Sequence, residues 1–200
     1  MNNSNLPTMI LDGFSRIFDC LLLGLVWAIC CIPVITIGAS CTAVYYAYNK
    51  VLRQEEGHLL KEFFRCFKEN FKQSTIAWLI VAVVGAFLYG DISIVAAFME
   101  TIPLSGALFA FAVTLFVVLL AWAVYVFPYI ARFELDTKTI LKNSFIIMGI
   151  NAGWSVLLVA LTLVVIFLSI LVPFVCFAFV AVYIPTVNMI LEHVFSKYME

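Results

Sequence analysis

The chain has 200 residues, 65% hydrophobic and only 12% charged, with a mean hydropathy of +1.12. A soluble domain covers its surface with roughly a quarter charged residues, so about half that share points to lipid as the solvent. The formal net charge of −1 supplies no positive field for nucleic acid, which is excluded as a partner.

The charges are also unevenly placed. No Asp, Glu, Lys or Arg occurs in residues 20–49, 73–90, 101–131 or 143–191. A helix crosses about 30 Å of hydrocarbon with roughly 20 apolar residues. Lipid offers a bare amide no partner and strand-like alternation is absent, so helices are the spanning option. With the last window divided at Pro173, this predicts an all-α polytopic membrane protein. Five transmembrane helices fall at about 17–35, 74–92, 104–127, 152–171 and 174–191, in a single integral membrane domain over residues 1–200.

Before the first span, Arg16 is offset by Asp12 and Asp19. The run Gly38-Ala39-Ser40-Cys41 lacks the aliphatic residue that a lipoprotein box carries three before its cysteine, so we expect a retained helix, not a cleaved leader. The stretch CCIPVITIGASCTA, residues 30–43, ends that span. Pro33 closes the helix, and the β-branched residues and Gly38 after it do not favour a regular continuation. Thr36, Ser40 and Thr42 can satisfy the freed backbone groups. We expect a break that turns the chain from spanning the bilayer to lying along it, and Pro33, Thr36, Gly38, Ser40 and Thr42 are candidates for a functional role. A further helix over 42–52 would set Tyr45, Tyr46 and Tyr48 at headgroup level.

Residues 58–72, HLLKEFFRCFKENFK, place Leu59, Leu60, Phe63, Phe64, Phe67 and Phe71 along one helical face, with Lys61, Glu62, Arg65, Lys68, Glu69 and Lys72 largely opposite. This is the pattern of an interfacial amphipathic helix, and the four cations are the candidate contacts for anionic lipid or for a partner. Ten of the eleven basic residues fall between spans one and two, between spans three and four, or in the tail, and only Arg16 falls opposite. The bias places the N-terminus outside and the C-terminus in the cytosol of a multi-pass cell-membrane protein.

Asp91 is expected to end the second span. In the second cytosolic connection, Asp136 or Thr137 is the expected N-cap of a helix through 140–148. The spacing Trp27-Ala28 to Pro33 recurs as Trp122-Ala123 to Pro128, and Phe179 to Pro185 echoes it. A duplicated unit or chance both account for it.

Chemistry is sparse. The six cysteines form no C-x-x-C pair, both histidines lie near the cytosolic surface, and no metal set or cofactor is expected. A disulfide between Cys20 and Cys176 is conceivable. No ionisable group sits mid-span, where a proton-coupled pump keeps one. Asn188 is the candidate intramembrane polar residue. The pattern argues against an enzyme.

The run Leu25-Val26-Trp27 through CIPVITIGAS-CTAVYY, then Lys50-Val51-Leu52-Arg53 with Glu55-Glu56-Gly57, and EFFRCFKENFKQSTIAW at 62–78, resembles the YesL family of bacterial membrane proteins. FPYIARFE at 127–134 and LKNSF at 141–145 resemble it too. That family is a domain of unknown function often encoded beside carbohydrate ABC importers. The resemblance implies a non-enzymatic accessory or regulatory protein of carbohydrate uptake, with importer components as partners. The alternative is a small facilitator or channel, which five helices could form only as a homo-oligomer.

Overall fold

Proline decides where the first apolar run ends, and hydroxyls and a glycine shape the segment after it. The computed structural model describes residues 6–98, 105–171 and 176–198, with 6–14 and 176–181 described by backbone alone. Helix α1 (Leu6–Cys31) stops just before Pro33. A short 3₁₀ turn (Val34–Thr36) leads into α2 (Ile37–Ala47), which continues as a π-helix (Tyr48–Arg53). The Thr36 hydroxyl lies within reach of two acceptors, the Cys30 and Pro33 carbonyls at 2.5 and 2.6 Å. It serves acceptors that a helix end leaves bare.

The helix resumes earlier than the sequence suggests, so Gly38, Ser40 and Thr42 lie inside α2. Ser40 and Thr42 donate to the carbonyls four residues back, Thr36 at 2.9 Å and Gly38 at 3.0 Å, which a helix accommodates. Gly38 supplies space. A Cβ there would lie 2.5 Å from the Ser74 carbonyl oxygen, 2.7 Å from Trp78 Cβ and 3.0 Å from Phe127 Cε1.

The chain also reverses here instead of merely turning. Leu23 packs with Ala43, Val44 and Ala47, and the Arg16 guanidinium lies 2.5 Å from the Glu55 carboxylate just past the π-helix. That pair sets Arg16 beside the connection that carries Lys50 and Arg53, because α1 and α2 form an antiparallel hairpin.

Helices α3 (Leu59–Glu69) and α4 (Phe71–Ala97) are separated by Asn70 alone. Helices α5 (Ser105–Arg132), α6 (Thr137–Ile150), α7 (Ala152–Leu171) and α8 (Cys176–Phe195) complete the described chain. Three of these, α4, α5 and α7, are long and apolar enough to cross a membrane. The bounds of α7 are those expected. The other two run past their expected ends. Asp91 is an exposed residue inside α4 and does not end it. Pro128 lies inside α5, where residues 125–130 are all buried and packing carries the helix through the missing N–H. Pro185 likewise lies inside α8. One recurring spacing therefore ends a helix at Pro33 and passes through helices at Pro128 and Pro185.

Contacts fix how these parts meet. Gly38 touches α4 near its start and α5 near its end, while Arg53 reaches α8 near its end. The α2 and π-helix segment thus lies across the ends of the long helices. Helix α3 covers it with Leu59, Phe63 and Cys66, and α6 packs Ile140, Ile147 and Met148 into the core beside α5 and α7. Asp136 caps α6, accepting from the Lys138 amide at 3.2 Å as expected.

The Gly38 contact is the tightest test of this packing. Gly38→Ala is expected to lower stability in detergent by about 2–3 kcal/mol, because backbone and not a flexible tip must give way. Gly90→Ala, with nothing within 4 Å of the added carbon, should change it by less than about 1 kcal/mol. Thermal unfolding of the two variants checks this, and equal effects would contradict the packing.

Candidate functional site: a buried carboxylate beneath two arginines

Asn188 and Glu192 are four residues apart, so α8 presents them on one face. Both are buried, at 1% and 6% exposure. Tyr45, Asn49 and Arg53 follow the same spacing along α2 and the π-helix. Arg132, the last residue of α5, comes from a third direction.

These side chains converge on Glu192. One carboxylate oxygen accepts from the Tyr45 hydroxyl at 2.8 Å and from the Asn49 amide at 3.0 Å. The other lies 3.4 Å from the Arg132 guanidinium and 3.9 Å from that of Arg53. Arg53 also donates to the Asn188 amide oxygen at 3.2 Å. Burial, and then the neighbouring carboxylate, push the Tyr45 phenol up, so it stays a protonated donor. A buried carboxylate costs much to desolvate unless it is paired and hydrogen-bonded, and here it is both.

The cluster is not balanced. Two guanidiniums face one carboxylate, which leaves an excess of one positive charge. Among the described residues four buried polar side-chain atoms lack a partner, and three of them are here: Asn49 Oδ1, Arg132 Nε and Asn188 Nδ2. A cavity of about 380 Å³ opens beside Arg53 and Asn188. A larger one, of about 530 Å³, has an almost wholly apolar wall that includes Trp27, Val44, Phe127 and Tyr183.

The residues singled out from sequence fall into separate places. Pro33 is exposed in the turn, Thr36 caps it, and Gly38, Ser40 and Thr42 are buried where α2 meets α4. Thr42 shares a 2.9 Å hydrogen bond with Ser74 there. Asn188 belongs to the carboxylate cluster. Lys61, Arg65, Lys68 and Lys72 are exposed on α3 and the start of α4. Arg65 differs from the other three, since it donates to Glu62 at 2.6 Å and to the Tyr46 hydroxyl.

Glu62 sits on the buried side of α3, not with the solvated charges. Lys50 also reaches it, at 3.1 Å, and both cations lie near the Tyr46 ring, 5.7 and 5.5 Å from its centroid. Gly57, at φ +84, passes so close that a Cβ would meet Glu62 at 3.2 Å. The aromatic face divides accordingly. Phe63 is fully buried, while Leu60, Phe64 and Phe71 stay exposed. Burial pushes the Cys66 thiol up to about 12, so it packs as an inert thiol. Cys20, Cys30, Cys31 and Cys41 are free as well, and the Cys176 side chain lies outside the described residues.

Sequence reading passed over Glu192, Arg132, Asn49 and Glu62. The available signal was spacing: Asn188 and Glu192 are an i, i+4 pair, and Glu192 is the first charge after the run 143–191. Glu62 gave no such signal, because its pattern matches a solvated face.

The fold and site define a membrane-type protein, helical throughout the described residues outside short connections, with three helices long and apolar enough to cross a bilayer and a buried ion cluster at one end of them. Residues 20–92, a little over a third of the chain, match the model of a family described as protein of unknown function, DUF624. The matched part runs from α1 through most of α4 and contains the 25–78 segment that carries the YesL resemblance, with which it is compatible. No curated protein and no solved structure matches the chain.

Glu62 makes the docking of α3 sensitive to pH. Burial opposes its charge, but the hydrogen bonds from Lys50 and Arg65 outweigh it and hold the carboxyl below its ordinary 4.5. A depressed carboxyl contributes stability that is complete above the unfolded value and lost as pH falls through the folded one. Protection of the α3 amides, the exchange rate taken relative to that of an unstructured amide at the same pH, is therefore expected to hold down to about pH 5 and to fall below about 4.5. In Glu62→Gln the exchange should be faster at neutral pH and without that acid step. An identical acid step in the variant would contradict the assignment.

Proposed function

We propose that this is a non-enzymatic accessory protein of the cell membrane that serves a carbohydrate importer and docks it through α3. One observation carries the docking. Leu60, Phe64 and Phe71 are exposed beside Lys61, Lys68 and Lys72, on a segment whose other side is held to α2 by Phe63 and to the π-helix by the Lys50–Glu62 ion pair. A helix that only floats at the interface does not need to be held this firmly from behind. The importer as partner rests on the resemblance. The apolar wall of the larger cavity weighs against the facilitator reading, since a sugar path needs polar groups to replace water.

The same reading includes a topology. Helix α8 forms a fourth crossing beside α4, α5 and α7. The α1–α2 hairpin begins and ends at the basic side, because Arg16 and Glu55 meet there. Both termini then face the cytosol, one crossing fewer than the charge-free windows alone suggest.

Two measurements test these statements. Protease added to intact cells should spare tags at both termini, and cleavage of an N-terminal tag would overturn the topology. Purification from native membranes should recover importer subunits. Reversing Lys61, Lys68 and Lys72 together should cut that recovery at least about tenfold while the protein remains inserted. Recovery of no importer component, with sugar uptake unchanged on deletion, would sink the functional reading.

A further inference from the structure

We propose that the cavity beside Arg53 and Asn188 is a binding site for a phosphate ester. It is lined by Tyr48, Arg53, Pro185, Thr186, Asn188 and Met189 and has a volume of about 380 Å³. Arg53 supplies the charge. One of its terminal nitrogens is engaged by the Asn188 oxygen, and its side chain is 48% exposed, which leaves the rest of the guanidinium free to donate. Glu192 offsets only one of the two guanidinium charges, and Arg132 lies closer to the shared carboxylate oxygen, 3.4 against 3.9 Å. The second observation is Asn188 itself. It is 1% exposed, its oxygen is taken by Arg53, and its amide nitrogen has no partner.

A buried donor left unpaired costs on the order of 1–3 kcal/mol, so a group that accepts from it is strongly favoured. A guanidinium fork with an adjacent amide donor matches the oxygens of a phosphate better than a point charge would. The cavity exceeds the volume of a phosphate group, which leaves room for an esterified alcohol against Tyr48, Pro185 and Met189. Its place near the end of α8, on the side where basic residues gather, brings lipid headgroups within reach and is open to soluble esters as well.

The test uses the full chain in a neutral maltoside detergent and two probes. Phosphatidylglycerol is titrated into the micelles, and glycerol 3-phosphate is added to the solution. Saturable binding of either probe, weakened at least about tenfold by Arg53→Gln and unchanged by Lys138→Gln with Lys142→Gln, two exposed cations on α6, supports the site. The probe that binds identifies the source as lipid or solute. A second measurement needs no variant. Phenylglyoxal modification of the wild-type chain, mapped by mass spectrometry, should fall at least about fivefold at Arg53 when the binding probe is present. The proposal is overturned if neither probe binds saturably, if binding survives Arg53→Gln, or if Arg53 is modified equally with and without probe.

Discussion

A carboxylate removed from water must be held by its neighbours, and Glu192 is held by partners from two other elements. Tyr45 and Asn49 donate from the segment that lies across the helix ends, Arg132 from the last residue of α5, and Glu192 itself comes from α8. Loss of any one partner leaves charge or donors unsatisfied in a place water scarcely reaches. The relative position of α2, α5 and α8 is thereby specified, not merely favoured. In lipid this matters more than in water, because apolar side chains alone give helices little reason to choose one partner over another.

The rest of the basic end is built outward from that point. Gly38 lets α2 approach α4 and α5 closely enough for Tyr45 to reach Glu192. The π-helix carries Asn49 and Arg53 to the same place, and wide turns of this kind commonly occur where side chains must be aimed. Glu62 then pins α3 onto the π-helix through Lys50, and the exposed half of α3 faces outward from a firm base. Each layer depends on the one beneath it.

Much of this was legible in the sequence. Charge-free windows located α4, α5 and α7, since lipid sets a length that few other environments demand. Asp136 announced its own cap. The amphipathic pattern at 58–72 located α3 but misjudged Glu62, because periodicity assigns charged residues to solvent and cannot foresee two cations arriving from elsewhere. The hairpin was missed for a related reason. Hydropathy reports that residues 20–49 are apolar, not that they form a hairpin, and the Arg16–Glu55 contact that closes it spans 39 positions. Glu192 escaped notice because it follows the last apolar window by one residue and reads as a boundary.

Coupling between Tyr45 and Glu192 is the most direct measure of whether the crossing segment is tied to the spans through the carboxylate. Stability in detergent would be determined for Tyr45→Phe, Glu192→Gln and the double variant. A hydrogen bond to a buried charged group predicts a coupling of about 1.5–3 kcal/mol, so the double variant should lose much less than the two single losses combined. Additive losses would contradict the account, because they would mean that the two side chains act independently and that something else holds α2 to α8.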